Sequence, residues 1–122
     1  MKQEDFNELF RQRTKKLALE IIRIVSPLKY SDALGVIRKQ LIKASTSVAA
    51  NFRAVCRARS ERERFSKLCI VVEEADETVF WMEMMMDGEM ISEILMSPFK
   101  NEAEEILKVM AAFKKRLDSK FT

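Results

Sequence analysis

Apolar residues recur every seven positions, without a break, between Leu34 and Val55, and this repeat limits what the chain can fold into. Apolar side chains at that spacing lie along one face of an α-helix, and a sustained heptad repeat predicts a neighbouring helix that runs nearly parallel or antiparallel. The 122 residues include only two Gly and two Pro, too few for the many tight turns of an all-β domain. The repeat and its companion positions are Leu34, Ile37, Leu41, Ala44, Val48, Asn51 and Val55.

The helix that contains this repeat is predicted to begin at Ser31 or Asp32, and another helix is predicted before it. The first helix runs from Asp5 to Ser26 and ends where Pro27 interrupts it, with Asp5 and Glu8 spaced as an N-cap pair. Its apolar positions are Phe10, Leu17, Ile21, Ile24 and Leu28.

Two more helices are predicted in the second half of the chain. Ser60 and Glu63 match the capping box S-x-x-E, so the third helix is predicted to begin after a sharp turn at Ser60 and to end at Asp87-Gly88. Its apolar rows are Phe65, Val72, Val79 and Met86, and beside them Leu68, Ala75 and Met82. In the run Met84-Met85-Met86 we expect residues that fill gaps in the core and are partly exposed.

The fourth helix is predicted to begin at Ser97, with Pro98 in the first helical position and a short helical lead-in over residues 89–96. Its apolar positions are Phe99, Ala103, Ile106, Met110, Phe113 and Leu117. Short connections between long helices favour antiparallel neighbours. The predicted fold class is therefore all-α, an up-and-down antiparallel four-helix bundle, with residues 1–122 forming a single domain.

Composition points to a protein without a membrane partner. No apolar stretch approaches the roughly 20 residues that span a bilayer, and the charged start MKQEDFNELF does not resemble a signal peptide. Cys56 and Cys69 fit no zinc or disulfide framework. We therefore expect a cytoplasmic location, with both thiols reduced.

The residue inventory also argues against an enzyme. The chain contains no His, so it lacks the commonest general base and the Glu-x-x-His motif with which bundles hold two metal ions. It has no glycine-rich phosphate loop, and serines near Lys43 are expected to face a close neighbour rather than to act as nucleophiles. We expect no catalytic residue, no metal and no cofactor, and we interpret one group of carboxylates as a solvated face of helix 3: Glu73, Glu74, Asp76, Glu77 and Glu83.

The stretch SVAANFRAVCRARS, from Ser47 to Ser60, combines two kinds of sequence. Small residues from Ala44 to Ala50 would let another helix approach closely. Asn51 falls on the heptad seam at a position that faces the core, where a lone polar residue can fix helix register or oligomeric state. Gln40 is predicted to have the same structural role.

Basic residues dominate the segment after Asn51. Residues 53–67 carry six cations against Glu61 and Glu63, a local charge of +4 in a chain whose net charge is +3. The cations could bind phosphates, or they could pair with the carboxylates of helix 3 or with another subunit, and the sequence leaves these alternatives open. The predicted nucleic-acid-binding residues are Arg53, Arg57, Arg59, Arg62, Arg64 and Lys67.

Aromatic residues near these cations are few. Phe52 and Phe65 are the only ones interleaved with them, and both occupy positions typical of a core. Base stacking is therefore not indicated, and any nucleic-acid binding would be directed at the backbone and weakly specific.

A long run of the chain, IRKQLIKASTSVAANFRAVCRARSERERFSKLCIVVEEADETVFWMEMM, resembles the bacterial four-helix-bundle family known as the ribosomal-RNA intervening-sequence proteins. LFRQRTKKLALEII, near the N-terminus, fits the same family. The likeness covers essentially the whole chain, is specific in helices 2 and 3, and in the C-terminal quarter is one of pattern only. The matching features include Gln40-Leu41, Ser47 to Asn51, Arg57 to Ser60, Lys67-Leu68, Glu73 to Glu77 and Phe80-Trp81.

This resemblance implies a non-enzymatic bundle that assembles as a ring-like homopentamer. Some members are encoded within insertions in large-subunit ribosomal RNA genes. The family is related to the accessory variability protein of diversity-generating retroelements, which partners a reverse transcriptase and binds nucleic acid through a basic surface. The partners implied are therefore further copies of the chain, RNA or DNA, and a protein such as a reverse transcriptase.

Two functional hypotheses arise from the sequence. The first is a homo-oligomeric scaffold that binds RNA or DNA weakly through the arginine-rich region between helices 2 and 3. The alternative is a protein-interaction scaffold without a nucleic-acid role, in which the arginines form salt bridges and subunit contacts. Phe80, Trp81 and the methionine run predict an apolar surface on helix 3, which would be typical of a subunit interface.

Overall fold

Four long α-helices and one short terminal turn make up the chain, in a computed structural model that describes residues 1–121 and the side chains of residues 1–120. Their order is α1 Gln3–Val25, α2 Asp32–Cys56, α3 Glu61–Asp87, α4 Glu93–Asp118 and the 3-10 helix η1 Ser119–Phe121. Each helix contacts the next one along the chain, and α1 also contacts α4, which closes the bundle. The predicted all-α, up-and-down four-helix bundle is confirmed.

The start of α1 differs from the prediction. The helix begins at Gln3 behind Lys2, whose side chain makes no cap hydrogen bond. Asp5 is therefore not an N-cap; with Glu4 it lies inside the first turn. There its negative charge faces the positive end of the helix dipole, so it is favourable without a capping hydrogen bond.

The start of α4 is a second correction. Ser92 is the N-cap and accepts a 3.1 Å hydrogen bond from the Leu95 N–H, so the predicted lead-in forms the first turn and Ser97 does not begin the helix. Pro98 lies inside α4. A proline at this position lacks the N–H that would bond to the Ile94 carbonyl. Because Ile94 is 88% exposed, water can hydrogen-bond to that carbonyl instead.

The heptad repeat of α2 forms the centre of the core. All four of its members are buried, with Leu41 completely inaccessible, and the predicted rows of α4 are buried from Ala103 to Leu117. In α3 the row Leu68, Ala75 and Met82 is buried as predicted. Met84 is 39% exposed and Met85 fully buried, which confirms the mixed role of the methionine run.

One predicted row of α3 is only partly buried. Phe65, Val72 and Met86 are half-buried, and a different row enters the core: Val71, Thr78 and Met85. Both rows are spaced every seven residues, so the prediction erred in which flank of the row Leu68, Ala75 and Met82 faces the core: Val71 is completely buried, whereas Val72 is half-buried.

A layer of small residues brings the helices together at mid-height. Thr14, Ser45, Ala75 and Ala103 come from four different helices and, with Thr78, line a cavity of only about 10 Å³. The three hydroxyls of this layer are buried, and each donates to a carbonyl of its own helix, as Thr78 does to Glu74 at 2.8 Å. These side chains therefore need no polar partner across the core.

Two arginines form hydrogen bonds between α1 and its neighbouring helices. Arg13 donates from Nε and Nη2 to both carboxylate oxygens of Glu102 on α4, at 2.9 and 2.6 Å, and its guanidinium lies 4.6 Å from the centre of the Phe10 ring. The paired carboxylate raises the pKa of Arg13. Arg38 of α2 donates to carbonyls at the C-terminal end of α1, those of Val25, Ser26 and Leu28.

Replacing Leu41 by Ala should lower the free energy of unfolding by about 2–5 kcal/mol, because the deletion leaves a cavity in the core. The matched control is Ile94→Ala, which removes an 88% exposed side chain and should change stability by less than about 0.5 kcal/mol. Urea unfolding followed by circular dichroism measures both. Equal effects of the two substitutions would contradict the assignment of Leu41 to the core.

Candidate nucleic-acid interface

The connection between α2 and α3 is a sharp four-residue turn, as predicted. The Arg57 N–H donates to the carbonyls of Arg53 and Ala54, both at 3.2 Å, and the Ala58 N–H donates to Val55 at 3.3 Å. Ser60 then caps α3 by accepting from the Glu63 N–H at 3.0 Å. Backbone hydrogen bonds and a cap therefore fix the basic segment on both sides.

The capping box differs from the predicted pattern in its second hydrogen bond. The carboxylate of Glu63 accepts from the backbone N–H of Arg59, at 3.4 Å, and so reaches one residue before the Ser60 cap. The same carboxylate lies 3.5 Å from Nε of Arg59, whose side chain is 90% exposed. Since an exposed ion pair contributes little to stability, Arg59 remains largely a surface charge.

Two of the six predicted cations pair with carboxylates in the first turn of α3. Besides Arg59, Arg64 contacts Glu61 at 2.6 Å, and Lys120 contacts the second oxygen of that carboxylate at 3.1 Å. The hydrogen bond from Lys120, together with the charges of both cations, lowers the pKa of Glu61. Neither arginine pairs with the carboxylates between residues 73 and 83.

The other four predicted cations have no carboxylate within 4.0 Å among residues 1–121: Arg53, Arg57, Arg62 and Lys67. The three arginines are exposed and Lys67 is half-buried. Unpaired cations on this turn and on the helices beside it can bind anions without first breaking an ion pair.

Arg11 of α1 also lies at this end of the bundle, which was not predicted from the sequence. Burial raises the pKa of Cys56, and the positive charges of Arg11, Arg64 and Arg57 act on the thiol in the opposite direction. Three helices thus contribute cations around the C-terminal end of α2. An antiparallel hairpin of α1 and α2 places the N-terminal half of α1 beside that end, so topology could have indicated Arg11.

Asn51 lies beside the core and not in it. It is half-buried, whereas the neighbouring Phe52 is completely buried, so the predicted core-facing placement of Asn51 is wrong. The helical stripe 44, 48, 52 and 55 turns Asn51 toward an edge of α2. Its amide donates to the carbonyl and the hydroxyl of Ser47, at 2.9 and 3.0 Å.

Ser47 links this edge of α2 to α3. Its side chain lies beside the carboxylate of Glu74, whose pKa it acts to lower. Counting seven residues along each antiparallel helix then places Gln40 level with Trp81. Gln40 is half-buried, and the buried indole N–H of Trp81 has no acceptor within residues 1–121. The register role of Gln40 and Asn51 remains a prediction, now located at the α2–α3 seam.

The outward face of α3 has the opposite character to the turn. Residues 68–87 contain six carboxylates and no cation. Phe80 and Met84 are 49% and 39% exposed on this face, while Trp81 is half-buried and packs edge-on against Phe80 at 4.8 Å.

No three potential metal ligands cluster within the described part of the chain, and none of its helices has an apolar span long enough to cross a membrane.

Fold and surface together define a small helical-bundle protein with a basic turn at one end and an acidic helix face. The model of the 23S rRNA-intervening sequence protein family matches residues 8–112, and the chain belongs to that family. No curated protein matches the chain in sequence.

A solved structure has the same fold. A crystal structure of a protein of unknown function from the S23 ribosomal protein family, from Bacteroides thetaiotaomicron VPI-5482, superposes with a TM-score of 0.81 at 27% identity. The alignment covers 89% of this chain and 97% of that one.

The paired carboxylates beside Ser47 should make stability depend on pH. Burial raises the pKa of Glu74, and the carboxyl of Glu77 raises it further, against the opposing effects of Ser47 and Lys43. Because the pKa is higher in the folded chain, this contribution to stability is fully present below the ordinary value of 4.5 and is lost as pH rises through the folded pKa. Glu74→Gln should therefore gain stability relative to wild type as pH rises from 4 to 7.

Urea unfolding at several pH values measures this difference. Asp76→Asn, at an exposed neighbour on the same helix, is the matched control and should not reproduce the pH-dependent gain. Parallel pH profiles for wild type and Glu74→Gln would contradict the assignment.

Proposed function

We propose that this protein is a non-enzymatic, self-associating scaffold that binds RNA or DNA weakly and without sequence preference through the turn between α2 and α3. The proposed setting is the cytoplasm, and the family resemblance implies five subunits and a protein partner of the reverse transcriptase kind. The observation that carries the proposal is that Arg57 and Arg62 are exposed and free of carboxylates within residues 1–121.

Charge and geometry support contacts to phosphate in particular. Arginine presents a planar fork of donors that matches two phosphate oxygens. Phe52 is completely buried and Phe65 half-buried, so neither offers an exposed ring on which a base could stack. Contacts of this kind fix a polyanion by its backbone and do not read base edges, which predicts weak sequence dependence.

Titration of a fluorescent RNA or DNA duplex at several salt concentrations tests the proposal. The logarithm of the binding constant should fall linearly with the logarithm of salt concentration, with a slope of about 0.9 per duplex phosphate contacted. Arg57→Gln with Arg62→Gln should lower that slope by about two, whereas Lys108→Gln, an exposed cation on α4, should leave it unchanged. Absence of binding by wild type at about 50 mM salt would refute nucleic-acid binding.

A protein-interaction scaffold without a nucleic-acid role is the second candidate. Pairing of Arg59 with Glu63 and of Arg64 with Glu61 supports it, as does the exposure of Phe80 and Met84 on α3. Under this alternative, Arg57→Gln with Arg62→Gln would change oligomeric state or stability and no polyanion binding would be seen. Light scattering on the same variants separates the two candidates.

A further inference from the structure

A groove of about 290 Å³ runs between α1 and α2, away from the acidic face of α3. Arg11, Lys15 and Arg53 lie along one end of it. Small side chains such as Ala18 and Ala49 line the groove between the helices and keep it open to other side chains. Arg11 pairs with Glu8, while Lys15 and Arg53 have no carboxylate within 4.0 Å among residues 1–121.

The other end of the groove is apolar. Leu19, 42% exposed, and Ile22, half-buried, lie one and two turns beyond Lys15 on α1. Along α1 from N- to C-terminus, the groove therefore changes from cationic to apolar.

The acidic face of α3 carries the complementary sequence. Glu73, Glu77, Phe80 and Met84 are spaced i, i+4, i+7 and i+11, so they form one stripe along the helix, and all four are exposed. No cation lies within 4.0 Å of either carboxylate among residues 1–121. Along α3 from N- to C-terminus, this stripe changes from anionic to apolar.

We propose that the α3 stripe of one copy docks in the α1–α2 groove of a second copy, with α3 running parallel to the α1 it contacts. Carboxylates then face Lys15 and Arg53, while Phe80 and Met84 face Leu19 and Ile22. The α3 stripe, from Glu73 to Met84, and the α1 side of the groove, from Arg11 to Ile22, each cover eleven helical steps, about 16 Å, so their lengths match. The inference rests on the self-association within the proposed function, for which it names the two contacting faces.

The charges favour this unlike pairing over pairing of identical faces. Two α3 stripes face to face would place carboxylates opposite carboxylates, and two grooves would place cations opposite cations, both of which are repulsive. A contact between different faces leaves a groove and a stripe free on the assembly, so further copies can add until the assembly closes.

Charge reversal on each face, followed by sedimentation velocity, tests the pairing. Lys15→Glu with Arg53→Glu reverses the groove, and Glu73→Lys with Glu77→Lys reverses the stripe. Either double variant alone should raise the Kd of self-association by about tenfold or more, because like charges then meet. A mixture of the two should recover association, since each reversed face meets its complement on the other variant.

Lys108→Glu with Lys115→Glu, an equal change of charge at two exposed positions of α4, is the matched control and should associate as wild type does. If wild type is monomeric at every concentration, the self-association within the proposed function fails. If wild type associates and the groove variant still does so with unchanged Kd, this docking mode alone is overturned. Phe80→Ala should weaken association without altering charge, so its effect measures the apolar contribution to docking separately from the charge contribution.

Disulfide trapping tests the parallel orientation. In a chain with Cys56→Ala and Cys69→Ala, Leu19→Cys with Phe80→Cys should form cross-links between copies under mild oxidation. Preferential cross-linking of Lys15→Cys with Met84→Cys would instead place the apolar end of α3 beside the cations and overturn the parallel arrangement.

Discussion

Close approach of the four helices at the layer of Thr14, Ser45, Thr78 and Ala103 sets the geometry of everything outside it. Small side chains in the middle of a bundle allow short distances between helix axes, and hydroxyls that bond to their own helices add no unpaired polar group. Because the helices are held at this point, residues at the edges of α2 lie against α3 on one side and α1 on the other. The α2–α3 seam and the α1–α2 groove are both products of that spacing.

The sequence predicted well those features that depend on one helix at a time. Heptad spacing located the core residues of α2 and α4, and the Ser60 cap located the turn. The prediction that α4 begins at Ser97-Pro98 is wrong, because a helix tolerates proline in its second turn where the unbonded carbonyl is open to water. The carbonyl of exposed Ile94 meets that condition.

The surfaces could not be predicted as well, because they depend on how several helices meet. Asn51 was placed in the core because the heptad count ignores drift over a long helix. The contribution of Arg11 to the basic end arises from the antiparallel hairpin of α1 and α2 and not from its own neighbours in sequence. Which arginines are paired depends on side-chain geometry, since Glu61 and Glu63 pair with Arg64 and Arg59 but not with Arg57 and Arg62.

The segregation of charge along the bundle has a consequence for molecular encounters. Unpaired arginines lie at the α2–α3 turn, whereas Asp87, Glu89 and Glu93 are exposed at the opposite end. A protein with a net charge of only +3 thus carries a permanent electric dipole along its long axis. The field of an extended polyanion orients such a molecule during diffusion, so that the α2–α3 turn faces the polyanion when the two meet. Salt weakens this orientation because it shortens the range of the field.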